Sequence, residues 1–414
     1  MVILRNFFLI LISLSWVFSQ IARTQLGNGL SLNILDIAIV STAGIALVWF
    51  IYKKKLYLCF KDNIGKGILL FSSTAIISLL WNIPSLTLQQ FIISSFYLIR
   101  WVSYVLLFLF IREYNYIDKK RIQQVMLLTG ILFVLIGYIQ FIYYGSLKNL
   151  FYLGWDEHMY RFFSVFLDPN FSGVFLVLFL LFIIGERLKM PQKPLTKIKL
   201  LLSVFIGCTT GALILTFSRS AFITLFFAFI VFFVLIGKKR WIIIVVSITL
   251  IVGLILSQRF YIESVNPFRT ISSNARLISI KEALEIFSHQ PVLGIGFNAY
   301  RYAQLRYGLR KQINIDTSHA DAGTDNSFLF VLATSGIIGF FAYIIMLVAI
   351  LQKVYKTFGK KRQIYAAVVF SSIVGLCVAS MFTNALFFPP LMLWMWTLIG
   401  SLDDTVGDPS LRSG

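Results

Sequence analysis

Charge is scarce in this sequence. Only 13% of its 414 residues are Asp, Glu, Lys or Arg, about half of the roughly 25% typical of a soluble domain. With a mean hydropathy of +0.84, that shortage argues against an ordinary water-soluble core. Cysteine is nearly missing as well. Cys59, Cys208 and Cys377 fall in one short loop and two apolar stretches, so neither a CxxC pair nor a disulfide framework can be built from them. Alternating stretches of about ten residues are also lacking, which argues against a membrane β-barrel.

What the sequence does contain is apolar blocks of about 17–25 residues, the length that crosses a hydrocarbon core about 30 Å thick. Within lipid each backbone amide must bond inside its own segment, so such blocks are expected to be helices. They fall near 5–21, 34–52, 67–83, 91–111, 124–144, 170–185, 198–217, 220–237, 241–258, 327–351, 364–387 and 389–402. The expected fold is therefore an all-α integral membrane protein of about 12 spans. Residues 1–414 form a single polytopic domain, with 259–326 as one large loop or cap. Small residues near Ala22 resemble a signal-peptide cleavage site, but the stretch to Ile21 is long enough to stay as an anchor.

The formal charge of +20 does not point to nucleic acid, because the basic residues sit in short runs on alternate connections. Lys53–Lys55, Lys119–Arg121, Lys189–Lys199, Lys238–Arg240 and Lys353–Arg362 share one side, which holds 24 Lys and Arg in all. The short loops opposite hold four: Arg23, Lys148, Arg161 and Arg219. This asymmetry places both termini in the cytoplasm and the 259–326 loop outside; long loops are largely exempt from the rule. Arg100 is the one basic residue deep within a span. It should face the bundle interior, either as a substrate contact or paired with an acid such as Asp36.

Unusual polar residues gather at four places on the expected outer side. Arg161–Asn170 (RFFSVFLDPN) leads into the sixth span, and Ser218–Ser220 puts Arg219 just before a helix, whose free amides favour anions. Arg269–Arg276 (RTISSNAR) opens an amphipathic helix expected over Asn274–Ser288, with Arg276 in its first turn. A second short helix is expected near Asn298–Gly308. Asp316–Asn326 (DTSHADAGTDN) precedes the tenth span. Arginines gathered at one face suit a multiply charged anion, since a guanidinium binds phosphate oxygens in pairs. A lipid pyrophosphate would lie at this depth. Asp325 or His319 could act as a base on a hydroxyl, though a carboxylate needs burial to become a strong one. No metal is expected, because the acidic run matches no compact ligand motif. Gly294-Ile-Gly296 lacks the strand and third glycine of a dinucleotide site. Gly336–Gly339 suits close helix contact.

Four segments in order resemble the O-antigen ligase and O-antigen polymerase superfamily of bacterial surface-polysaccharide enzymes. They are RFFSVFLDPNFSG, LILTFSRSAF, ARLISIKEALEIFSHQPVLGIGFNAY and DNSFLFVLATSGIIGFFAYI, spanning residues 161–351. The resemblance implies a C-type glycosyltransferase-like fold in the cell membrane, acting at its extracytoplasmic face. It implies glycan transfer from a polyprenyl-pyrophosphate-linked oligosaccharide without cofactor, among membrane lipid, with a chain-length regulator and a flippase as further partners. Pyrophosphate handling falls on Arg219 and Arg276, with Arg161, Asn170, Arg269 and Arg100 as further substrate contacts. Where family ligases carry a catalytic His-Asn pair, this chain has Asp325-Asn326. That departure favours polymerisation of repeat units over ligation to a lipid or protein. A transporter or flippase for the same lipid is the alternative from another class. It fits less well, since transporters tend to show repeated halves and broken mid-membrane helices.

Overall fold

The computed structural model describes residues 12–25, 31–113, 118–153, 157–191, 196–244, 246–247, 270–310, 323–361 and 363–402. A short antiparallel ribbon, β1 (Arg23–Gln25) and β2 (Ser31–Asn33), is the only sheet among these residues. Then come α1 (Ile34–Tyr52), α2 (Asn63–Trp81), α3 (Leu88–Glu113), α4 (Lys119–Tyr143), α5 (Pro169–Lys189), α6 (Lys197–Leu215) and α7 (Arg219–Leu235). The cap contributes α8 (Thr270–His289) and α9 (Tyr300–Arg306). The chain continues through α10 (Ser327–Lys361), α11 (Ile364–Ala379) and α12 (Pro389–Gly400).

Seven of the described helices, α1 to α6 and α10, are long and apolar enough to cross a membrane; α7 and α11 are apolar but shorter. The chain is thus a helical membrane protein. Of the expected spans at 5–21 and 241–258, residues 12–21, 241–244 and 246–247 are described; 12–17, 241–244 and 246–247 are helical, and 18–21 form a turn.

Helix starts follow local chemistry. Asn33, Asp62, Asp118, Asp168, Thr196 and Ser218 each accept a hydrogen bond from a first-turn amide, which satisfies donors that the helix leaves orphaned. The core is aromatic. Phe71 of α2, Trp101 of α3, Tyr343 of α10 and Trp396 of α12 pack with centroids 4.7–6.2 Å apart. Trp16 is buried against Phe166 and Phe175, and its indole donates to the Pro390 carbonyl at 2.8 Å. The pair α2 and α10 packs tightly at Gly67, where a Cβ would stand 2.8 Å from the Met346 backbone.

The cap is keyed into the bundle by backbone. Ile295 N donates to Ala333 O at 3.1 Å and Ile337 N to Pro291 O at 2.8 Å. From α2, the Asn82 side-chain amide donates to Gly294 O at 2.8 Å and Ser78 Oγ to Thr334 O at 2.7 Å. At this crossing α10 is broken by Gly336, at φ 66° and ψ −171°, a conformation open to glycine almost alone. The close approach expected at Gly336 is therefore to the cap segment rather than to another helix.

Two boundaries move. The helix expected from Asn274 begins at Thr270, because no Gly or Pro interrupts the chain between Pro267 and Pro291. Arg276 consequently lies in its second turn rather than its first. The helix expected to reach 387 stops at Ala379. There Ser327 and Asn326 take over its bonding: Ser327 N donates to Ser380 O, Ser327 Oγ to Asn384 Oδ1, and the Asn326 side-chain amide to Met381 O.

Candidate functional site

Loop 157–168 closes over the turn between α6 and α7. Buried Arg161 donates from Nε to Thr216 O at 2.8 Å, and Phe162 N donates to Leu215 O at 2.9 Å. The Gln140 side-chain oxygen accepts from the amides of Phe163 and Ser164, both at 3.0 Å. Ser218 Oγ donates to Asn170 Oδ1 at 3.1 Å, so Asn170 holds the starts of α5 and α7 together. Gly173 lets them meet, since a Cβ there would lie 2.6 Å from that of Ala221.

This packing collects charge. Asp168 caps α5 through Oδ1, which accepts from Asn170 N at 2.6 Å and Phe171 N at 3.2 Å. Burial pushes its carboxyl above the usual carboxylate range, against the pull of those two bonds and of nearby Arg161 and Arg276. Arg219, the first residue of α7, is lowered by burial and then by Arg276. Arg161, Arg219 and Arg276 thus come from three separate elements to within electrostatic reach of one another or of Asp168. Arg161 and Arg276 act on the one carboxylate and Arg219 on Arg276, so cations outnumber it, an arrangement that suits a ligand with more than one negative charge.

One helical turn beyond Arg276, Ser279 Oγ bonds Thr324 Oγ1 at 2.9 Å and accepts from Asp325 N at 3.1 Å. Asn326 then caps α10, accepting from Phe328 N and Leu329 N. Asp325 therefore stands on the same side of the cap as Arg276. Its carboxylate is exposed, so the burial that would strengthen it as a base is not provided.

Of the residues singled out from sequence, Arg161, Asn170, Arg219 and Arg276 come together, with Asp325 beside them through Ser279. Arg100 does not join them. It pairs with Asp36 of α1 and stacks over the Tyr97 ring at 4.6 Å. Arg269 and His319 lie outside the described residues. Asp168 was missed. The available signal was its place directly before Pro169, where an acidic cap reads as structural although the same carboxylate faces two arginines.

A capped helical membrane protein with a basic, multi-element site is the class that fold and site define. Residues 202–344, from within α6 into α10, match the family model described as O-antigen ligase. The matched segment holds Arg219, Arg276 and Asp325; Arg161 and Asp168 precede it. No curated protein matches the chain. The family match supports the resemblance to the O-antigen ligase and polymerase superfamily and implies an enzyme of ligase-type or polymerase-type glycan transfer.

Proposed function

We propose that the protein polymerises polyprenyl-pyrophosphate-linked oligosaccharide repeat units at the extracytoplasmic face of the cell membrane. The grouping of Arg161 and Arg276 near Asp168, with Arg219 beside Arg276, carries this reading, because the donor of such a reaction presents a pyrophosphate at the membrane surface. Arg219 and Arg276 bind that pyrophosphate and stabilise the charge that grows on it as it leaves. Asp168 holds the arginines in register.

In the reaction, a hydroxyl oxygen at the non-reducing end of one repeat unit bonds to the anomeric carbon of the growing chain. The bond from that carbon to pyrophosphate breaks, and polyprenyl pyrophosphate departs with the bonding pair. The hydroxyl proton passes to Asp325. Glycosyl transfer runs through an oxocarbenium-like transition state, so leaving-group charge weighs more than base strength, and an exposed carboxylate suffices for the proton.

Reconstitution in liposomes with a single lipid-linked repeat unit, and no added nucleotide, tests the reading. A ladder of products still attached to the polyprenyl carrier is expected. Transfer of one glycan to a different lipid or protein would replace the reading with ligation. Movement of the intact substrate across the bilayer without product would replace it with transport.

Asp168→Asn separates charge from capping, because asparagine caps a helix about as well as aspartate. Chain elongation should fall by at least tenfold while the melting temperature stays close to that of the parent. Equal elongation by both proteins would remove Asp168 from the site.

A further inference from the structure

A second basic group lies apart from the first, under the other helix of the cap. Ribbon pairing sets Arg23 opposite Asn33, and Asn33 caps α1 by accepting from Asp36 N at 2.7 Å. Asp36 in turn pairs with Arg100, which covers the Tyr97 ring. From above, α9 brings Arg301 and Tyr302, which are 7% and 5% exposed. Arg23 feels Tyr97, Arg100, Asp36 and Arg301, while Tyr302 feels Arg301 and Tyr97. The ribbon, α1, α3 and the cap therefore close around one place.

Among the described residues this place holds three guanidiniums and one carboxylate. Its hydrogen bonding is also incomplete in a particular way. Two buried donors, Arg23 Nε and the Tyr302 hydroxyl, have no partner, and neither has the buried acceptor Asp36 Oδ1. Buried polar atoms are rarely left so. Two donors seeking an acceptor, beside one acceptor seeking a donor, describe a ligand with an anionic group and a neighbouring hydroxyl.

We infer that Arg23, Arg100, Arg301 and Tyr302 form a second anion-binding site, which takes a phosphate or carboxylate group on a hydroxyl-bearing glycan or lipid. This site is distinct from the Arg161, Arg219 and Arg276 group and does not require the polymerase reading. In a transfer enzyme it would hold one substrate while the first group holds the other.

The test uses the full chain in phosphatidylcholine nanodiscs, in an Arg219→Gln/Arg276→Gln background that disables the first group. Melting temperature is followed against inorganic phosphate, against glucuronate, and in discs containing phosphatidylglycerol. At least one of these anions should raise it saturably. Adding Arg23→Gln or Arg301→Gln should raise the half-saturating concentration at least tenfold. Tyr302→Phe, which loses one hydroxyl, should raise it about threefold, the scale of one modest hydrogen bond. Tyr302→Phe decides the matter if the arginine variants do not fold. A response to phosphate or glucuronate identifies a glycan-borne or soluble anion, and a response to phosphatidylglycerol alone identifies a lipid headgroup. No saturable response to any of the three, or a response unchanged by these substitutions, overturns the inference. The polymerase reading is judged separately, by elongation of the lipid-linked unit.

Discussion

Arg276→Ala should lower chain elongation by about 10²–10³-fold, the loss expected when one donor to a developing anion is removed. Membrane insertion and melting temperature should be nearly unchanged, because Arg276 is half-buried on α8 and caps no helix. Arg276→Lys should recover only part of the activity, since an ammonium keeps the charge but loses the paired geometry of a guanidinium. Combining Arg276→Ala with Arg219→Ala should cost less than the product of the single losses, because both residues would act on one pyrophosphate. Elongation assays on variants matched for membrane level check all three statements. Normal polymer length from a well-inserted Arg276→Ala protein would remove the assignment.

The second large effect is structural. In Gly336→Ala the new Cβ would stand 2.2 Å from the Val292 carbonyl oxygen and 2.7 Å from Gly294 N. Both atoms are backbone and cannot rotate away. The φ of 66° with ψ −171° adds strain of about 1–3 kcal/mol for any residue with a side chain. The cap should therefore lift from α2 and α10, breaking the bond from Asn82 to Gly294 O and the backbone bonds that join the cap to α10. A drop in melting temperature of several degrees and new protease cleavage in the cap are expected, together with loss of elongation. Gly359→Ala is the control within the same helix, because nothing lies within 4 Å of its Cβ. A Gly336→Ala protein as stable and protease-resistant as this control would show that the key is not needed.

Periodicity and polarity made much of this architecture legible. The first complete span matched in full, 34–52, because Asn33 caps it and Lys53–Lys55 end the apolar run. The end of α11 was not legible, since no Gly or Pro interrupts residues 376–388 and the chain is diverted by bonds to Asn326 and Ser327. Those partners are more than 50 positions away, and no local pattern encodes them. The start of α8 was misplaced for the opposite reason: good capping residues at Ser272–Asn274 were present but not used. In the candidate site, Arg219 and Arg276 stood out as cations at the ends of apolar segments. Their meeting, with Asp168 beside Arg276, could not be read, because it depends on how α5, α7 and the cap pack. Arg100 was conspicuous as a deep charge, and Asp36 was its foreseeable partner. The role of Arg23 and Arg301 around that pair emerges only when the ribbon and α9 are in place.

The polar clamp that joins α2 to the cap and to α10 also bears on biogenesis. Ser78 Oγ and the Asn82 side-chain amide donate to carbonyls 256 and 212 positions later in the chain. A ribosome delivers α2 to the membrane well before Gly294 and Thr334 exist, so these side chains wait in a nascent bundle without their final acceptors. The last third of the chain therefore does more than complete the count of helices. Its arrival closes a polar seam left open since early in synthesis, at the junction of α2, cap and α10.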